Sequence, residues 1–181
     1  KSIFEYIKVA YPQNLETKSY LRKLSSCKIK HIGNLKFSEN YDSDLEKINI
    51  NLKSYLVKKK IWVASSTHKS EEIFCAKAHL ELKKKYRNIL TVIIPRHIHR
   101  ADKIKSELEN LGLTVFLHSS KLNKPQNIDI YLVDTFGETK KFHKISSTVF
   151  LGGSIIKRGG QNPLEAARFG HQHTSRPSSR R

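Results

Sequence analysis

The sequence lacks the features of several common protein classes. No apolar run approaches the roughly 18 residues of a membrane-spanning helix, and no signal peptide is visible. Only 2 cysteines occur and they form no C-x-x-C pattern, so we interpret both as reduced thiols outside any metal site. Neither the G-x-G-x-x-G nor the G-x-x-x-x-G-K-[ST] fingerprint is present, which disfavours dinucleotide dehydrogenases and P-loop NTPases.

Acidic residues are scarce relative to basic ones. The chain has 34 Lys and Arg against 16 Asp and Glu, a formal net charge of +18 over 181 residues. Such a field attracts nucleic acid, anionic lipid surfaces or phosphorylated substrates, and the charge alone does not choose among them. The length has room for one domain, or for one domain and part of another.

From residue 61 onward, apolar strands alternate with helices. Strands are predicted at residues 61–65, 89–94, 113–117, 128–133 and 148–151, and helices at 70–86, 101–110 and 138–144. This alternation indicates a parallel sheet covered on both faces, so the predicted fold class is α/β with a Rossmann-like sheet.

The flanking segments differ from this pattern. Upstream we predict short strands at 5–10 and 28–32 and a helix at 17–25, followed by a polar connection at 38–60 that holds a helix near 44–56. The end of the chain, residues 171–181, has no apolar residue and no acid, so we expect it to be disordered.

A glycine-rich loop follows the last predicted strand. The strand ends at Gly-Gly-Ser (152–154), and a second glycine pair precedes Asn162-Pro163-Leu164-Glu165, which fits an N-cap, a first helical turn and a capping box. With Lys157 and Arg158 beside it, such a strand–loop–helix suits a phosphate or a sugar acid. An ordinary tight turn before a well-capped helix is the alternative.

Four predicted strand ends carry polar or flexible residues, and ligands collect at the carboxyl ends of parallel strands. They are Ser-Ser-Thr-His (65–68) with Glu71 and Glu72, Pro-Arg-His (95–97), Asp-Thr-Phe-Gly-Glu (134–138), and Gly-Gly-Ser (152–154). If the strands run as predicted, the four ends form a single site.

Each of these residues has a structural alternative. Ser66, Thr67 and His68 could cap the next helix, and the two glutamates could balance its dipole. Arg96 could grip a phosphate or be an ordinary surface arginine, and His97 could donate to a leaving phosphate or be a loop residue. Asp134 is predicted to fix its turn rather than to act as a base. Phe136 could stack on a base or fill the core, and Glu165 could accept ribose hydroxyls or complete the capping box.

Together these motifs resemble the 3-deoxy-D-manno-octulosonic acid (Kdo) transferases of lipopolysaccharide synthesis. The resemblance covers roughly residues 1–170 and includes Gly-Asn-Leu-Lys-Phe (33–37), which is similar to the family's motif at the junction of its two domains. Phe136 is a departure, because methionine is usual there.

The resemblance implies the donor-binding half of an inverting GT-B glycosyltransferase that uses no metal or other cofactor. The donor would be CMP-Kdo, and the acceptor a phosphorylated lipid A precursor at the cytoplasmic face of the inner membrane. By similarity, Lys36 would stabilise the transition state. The residues expected to hold CMP are Pro95, Arg96, Phe136, Gly137, Glu138, Asn162, Pro163, Leu164 and Glu165, with Ser66, His68, His97, Gly153, Ser154 and Arg158 as further candidates.

The resemblance also divides the chain. Residues 1–36 would be the last strand–helix–strand of an acceptor domain, 37–60 the connection, 61–170 the donor domain and 171–181 the tail. The family's catalytic carboxylate and membrane anchor would lie upstream of residue 1, so we expect this chain alone to be inactive. The alternatives are a GT-B transferase that uses UDP-sugars and a basic nucleic-acid-binding module, although the lysines are scattered over predicted helix surfaces.

Overall fold

The computed structural model describes residues 3–33, 50–120, 127–156, 167 and 172–174. The chain divides into two compact units, Lys1–Leu45 and Glu46–Arg181. This boundary falls inside the polar stretch 38–60 that the sequence predicts to be a connection. Of the helices described, none is both long and apolar enough to cross a bilayer.

The first unit contains one small β-α-β motif. A 3-10 helix, Ile3–Tyr6, leads to β1 (Val9–Ala10), α1 (Leu15–Leu24) and β2 (Lys28–Ile29), and the two strands pair in parallel. The side chain of Asn14 caps α1 by accepting a 2.7 Å hydrogen bond from the Thr17 N–H. The strands are shorter than predicted, because residues 3–6 take up a helical turn and α1 buries no side chain against them.

The second unit is built on one parallel sheet. Its strands are β3 (Lys60–Thr67), β4 (Ile89–Pro95), β5 (Val115–Leu117), β6 (Ile130–Leu132), β7 (Thr148–Leu151) and β8 (Gln172–Thr174). Its helices are α2 (Ile50–Leu56), α3 (Glu71–Lys85), α4 (Ala101–Glu109) and α5 (Thr139–Ile145), with a 3-10 turn at Ile98–Arg100. The strand order is β5-β6-β4-β3-β7-β8, and all pairs are parallel.

Helices bury both faces of this sheet. Successive residues of β3 point to opposite sides, so Val63 joins the cluster that includes Phe142 of α5, while Ala64 joins the cluster that includes Ile104 of α4. The central strand β4 is buried along its whole length. The predicted α/β fold with a covered parallel sheet is confirmed. Burial on both faces explains why its strands are uninterrupted apolar runs in the sequence.

The direction in which successive strands are added to the sheet reverses at β3. From β3 the chain crosses through α3 to β4 on one side, and later returns through α5 to β7 on the other side. The helices α3 and α4 contribute to one core cluster and α5 to the other, as expected when every crossover is right-handed. The carboxyl ends of β3 and β7 therefore flank a topological switch point, the usual ligand crevice of such sheets.

Two segments differ from the sequence-based predictions. Residues 172–174 form β8 and pair with β7, so the prediction of a disordered tail is wrong for these residues. Composition does not reveal such a strand, since ladder hydrogen bonds use only the backbone. The helix expected within the connection contributes Leu56, which is 2% exposed, to the core of the second unit.

A buried polar network lies near the amino ends of β4, β5 and β6. The imidazole of His79 on α3 lies 2.8 Å from the Thr91 hydroxyl and 3.4 Å from the Asp129 carboxylate. Asp129 also accepts hydrogen bonds from Lys83 and from the Thr114 N–H. Burial opposes ionisation of Asp129, but these donors outweigh it and lower its pKa. The pKa of His79 is also lowered, chiefly by burial, despite the nearby carboxylate.

This network predicts a loss of stability in mild acid. Folded His79 resists a proton that the unfolded chain accepts near pH 6.5, so its contribution is complete above that pH and falls as the pH drops towards the folded pKa. Urea unfolding between pH 7.5 and 5 should show His79→Gln losing less stability on acidification than the wild type, by up to about 1.4 kcal/mol per pH unit. Parallel stability profiles for the two proteins would contradict this role.

Candidate functional site

The four strand ends singled out in the sequence are neighbours in the structure. β6, β4, β3 and β7 are consecutive and parallel, so the residues that follow them share one rim of the sheet. Four adjacent strands span only about 14 Å, at roughly 4.8 Å per step. We call these carboxyl ends and the turns after them the rim. Lys36, Arg158, Asn162, Pro163, Leu164 and Glu165 lie outside the described residues, and their roles stay predictions.

At the switch point the backbones of two turns touch. The register of β3 shifts between Ser65 and Thr67, and Ser66 adopts a φ of 56°. Gly152, after β7, donates its N–H to the Ser65 carbonyl at 2.8 Å. A Cβ on Gly152 would lie 2.0 Å from the Ser66 carbonyl oxygen, so only glycine fits there. Ser66 is therefore part of a backbone junction.

The carboxylate of Glu71 also joins the turns after β3 and β7. Glu71 is 1% exposed and accepts backbone hydrogen bonds from His68 at 2.9 Å, Gly153 at 2.9 Å and Ile155 at 3.2 Å. The N–H groups of His68 and Gly153 are therefore already paired. The hydroxyl of Ser154 donates to the Leu151 carbonyl. The N–H groups of this part of the glycine loop, which the sequence predicts to bind a ligand anion, therefore bind the carboxylate of Glu71 instead.

Glu72 has a separate set of partners. Its two oxygens lie 3.0 and 3.3 Å from the guanidinium of Arg100, and it accepts a hydrogen bond from the Thr67 hydroxyl at 3.0 Å. The Thr67 carbonyl in turn accepts the Arg96 N–H at 2.9 Å. These contacts join the turn after β4 to the end of β3. The acids after β3 are thus structural in this fold.

The turn after β4 presents cationic side chains to solvent. Arg96 and His97 are exposed, and within the described part of the chain Arg96 forms no ion pair with a carboxylate. The rings of His97 and His68 have centroids 6.2 Å apart, and those of His97 and His99 are 5.6 Å apart. No cluster of three or more His, Cys, Asp or Glu side chains suited to a metal ion occurs among the described residues. Arg96 is therefore the accessible guanidinium of this turn, in contrast to Arg100.

The turn after β6 presents an aromatic ring. Phe136 is 79% exposed, which excludes the alternative that it fills the core. Gly137 follows with a φ of 84°, a conformation that favours glycine. Asp134 accepts hydrogen bonds from the backbone and hydroxyl of Ser119, so it ties this turn to the one after β5 rather than closing its own.

Glu138 is held by neighbours that the sequence did not single out. Lys141 lies 3.0 Å from its carboxylate, and the Nε2 of His118 lies 3.7 Å away. The Nδ1 of His118 is hydrogen-bonded to the Tyr131 hydroxyl at 2.8 Å. Burial lowers the pKa of His118, although Glu138 opposes the shift. Only the i, i+3 spacing of Glu138 and Lys141 could have been read from the sequence.

A groove of about 1050 Å³ lies beside α3, away from most of the rim. Its lining is largely apolar and includes Trp62, Phe74, Leu82 and Phe150. Of the described part of the glycine turn, it includes Ser154 and Ile155. Among the described residues its lining has no arginine, and its one lysine, Lys60, lies over the Tyr86 ring, so the rim is the better candidate for a charged ligand.

Taken together, the described part of the rim exposes the guanidinium of Arg96 with the imidazole of His97 after β4, and the phenyl ring of Phe136 after the adjacent strand β6. A guanidinium suits a phosphate or carboxylate, and an exposed ring suits a flat heterocycle. The arrangement therefore fits a ligand that carries both an anionic group and a base.

Comparison with known proteins identifies relatives over most of the chain. A 3-deoxy-D-manno-octulosonic acid transferase of Haemophilus influenzae is 33% identical over 143 residues, 78% of this chain and 34% of the relative. A probable mitochondrial 3-deoxy-D-manno-octulosonic acid transferase of Arabidopsis thaliana is 34% identical over 78% of this chain and 33% of its own length. A bifunctional glycosyltransferase/methyltransferase of Fusobacterium nucleatum is 33% identical over 91% of this chain and 26% of the relative. The chain thus spans only about a quarter to a third of these relatives.

Among solved structures, the C-terminal CMP-Kdo binding domain of WaaA from Acinetobacter baumannii is similar to this chain. The TM-score is 0.58 at 28% identity, over 68% of this chain and 65% of that domain. No protein-family profile matches the chain. The resemblance to Kdo transferases inferred from the motifs is confirmed by these relatives.

The contact between Gly152 and Ser66 predicts a strongly destabilising substitution. In Gly152→Ala the new Cβ must displace backbone, which should cost about 3 kcal/mol or more. In the matched variant Gly112→Ala nothing lies within 4 Å, so only the strain of a φ of 78° remains, about 1–2 kcal/mol. Urea unfolding of both variants measures the difference. Equal losses would show that the turns after β3 and β7 are not in contact.

Proposed function

Since this chain is homologous to the Kdo transferases over most of its length, we propose that it is the donor-nucleotide-binding part of such an enzyme. The proposed reaction transfers Kdo from CMP-Kdo to a phosphorylated lipid A precursor, with inversion and without a metal. The chain would contribute the site that holds the CMP moiety.

One observation carries this proposal. The turns after the neighbouring strands β4 and β6 present Arg96 and Phe136 to solvent, while the acids close by have protein partners. Glu72 is paired with Arg100, and Glu71 is buried against backbone N–H groups, so neither carboxylate is exposed to an incoming phosphate. The rim therefore offers an accessible guanidinium and a stacking surface together.

The chemistry of the donor matches these groups. When the sugar leaves CMP, negative charge grows on the phosphate, and a fixed guanidinium at that point stabilises the transition state more than the ground state. We assign that contact to Arg96 and the stacking of the cytosine to Phe136. Pro95 ends β4 as a buried residue and fixes the direction in which Arg96 leaves the sheet.

The charge of the chain supports the proposed acceptor. A net charge of +18 favours an anionic membrane surface and a phosphorylated lipid, because each basic group near such a surface contributes about 1 kcal/mol. We propose that the parent enzyme works at the cytoplasmic face of the inner membrane.

Calorimetric titration with CMP and with cytidine separates the two contacts. Arg96→Ala should weaken CMP binding about 10- to 100-fold and leave cytidine binding unchanged, because only the phosphate contact is lost. Phe136→Ala should weaken both ligands by a similar factor, about 5- to 100-fold, because both share the base. Arg87→Ala, a change of an exposed arginine in the turn before β4, is the control and should bind both ligands as the wild type does.

The same titrations test the proposal as a whole. Tighter binding of UMP than of CMP would favour a transferase that uses UDP-sugars. Binding of single-stranded nucleic acid that falls steeply with salt and does not depend on Arg96 would favour a nucleic-acid-binding module. Absence of CMP binding by the wild-type chain would contradict the proposed site.

A further inference from the structure

We propose that Glu71 is a positioning residue for the nucleotide, because its carboxylate acts as an internal anion that sets the shape of the rim. This inference rests on the proposed function, since the site to be shaped is the CMP site. Glu71 itself is buried and does not touch the ligand.

The backbone around Glu71 is arranged like an anion-binding site in which the bound anion is the glutamate side chain itself. Three backbone N–H groups converge on its two oxygens: those of His68 and Gly153 on Oε2, and that of Ile155 on Oε1. Converging N–H groups of this kind normally bind phosphate or another oxyanion. Here the anion is supplied by the first residue of α3, and its side chain is 1% exposed.

The donors come from two distant parts of the sequence. His68 lies in the turn after β3, whereas Gly153 lies in the turn after β7, 82 positions beyond Glu71. These are the two strands that flank the switch point. The carboxylate therefore joins the two turns beyond the backbone contact of Gly152 with β3, and among the described contacts neither turn has a side chain of its own that does so.

The turn after β3 also helps to place the backbone of Arg96. Glu71 fixes the N–H of His68, and the adjacent Thr67 carbonyl accepts the N–H of Arg96 at 2.9 Å. A shift of this turn would move the start of the segment that presents the guanidinium. Loss of Glu71 should therefore displace the phosphate-binding group without changing it.

Balancing the dipole of α3 does not explain these contacts. A dipole effect needs only a carboxylate near the helix start, and Glu72 at the next position already provides one. Nor is Glu71 a buried carboxylate without hydrogen-bond partners, because each of its oxygens accepts from a backbone N–H group. Its specific role is to join two turns.

Three variants test this role by CMP titration. Glu71→Ala removes all three contacts and should weaken CMP binding about tenfold or more. Glu71→Gln can keep an oxygen at the Oε2 position for His68 and Gly153, and turns an NH2 group only towards Ile155. It should therefore rescue most of the affinity, leaving a loss of about threefold, and it also serves if the alanine variant fails to fold. Glu81→Gln changes an exposed acid of the same helix and should bind CMP as the wild type does.

A control variant that is destabilised away from the rim separates positioning from general destabilisation. Ile104→Val trims a fully buried side chain in the core cluster below α4 and lowers Tm without touching the rim. The inference expects Ile104→Val to keep its CMP affinity at a temperature where both variants are folded. It also expects formate to raise the Tm of Glu71→Ala and to recover part of its CMP affinity, with chloride at equal ionic strength having no such effect.

The outcomes are distinguishable from those of the proposed function. Wild-type affinity for CMP in Glu71→Ala, or an equal loss in Ile104→Val, would overturn the positioning role and leave the CMP site standing. Failure of formate to act on Glu71→Ala would overturn the internal-anion account. Absence of CMP binding by the wild type would remove the proposed function and this role with it.

Discussion

Parallel pairing of the strands from β6 to β7 is the constraint on which the candidate site depends. In a parallel sheet every carboxyl end lies at the same edge, so residues separated by up to 88 positions, from 66 to 154, share one rim. That pairing persists because both faces of the sheet are buried under helices, which leaves β4 without an exposed residue. The apolar core thus fixes the place of the polar groups, although it supplies none of them.

The polar residues of the rim divide into two groups according to their partners. Glu71, Glu72 and Asp134 are acceptors that tie one turn to the next, through backbone N–H groups, a guanidinium and a serine. Arg96 and Phe136 extend from these fixed turns into solvent. Since these carboxylates have protein partners, the accessible guanidinium of Arg96 is the group of the rim that can meet an anionic ligand. Rigid turns with few exposed groups are what specific binding requires, because less ordering is needed when the ligand arrives.

Some of this could be read from the sequence, because the signal was local. Apolar runs alternating with helices predicted the sheet, and the strand at residues 148–151 was located to the residue. The four polar strand ends followed from general rules for parallel sheets. The partners of Glu71 could not be predicted, since its donors lie 3, 82 and 84 positions away and come together only when β3 and β7 pair. The roles of Arg100 and His118 could not be predicted from the sequence either, because the burial of a charged or polar side chain depends on which residues pack over it.

By itself, the sequence determined the periodicity of the chain, its excess of positive charge and the motifs that it shares with the Kdo transferases. These are properties of composition and of short segments, which need no knowledge of long-range contacts. Only the tertiary structure decided which strand lies beside which, that residues 172–174 extend the sheet, and that a glutamate occupies the junction where the glycine turn meets β3. The physical reason is that hydrogen bonds between distant segments have no counterpart in the local sequence, and they form only once the core has set the register of the strands.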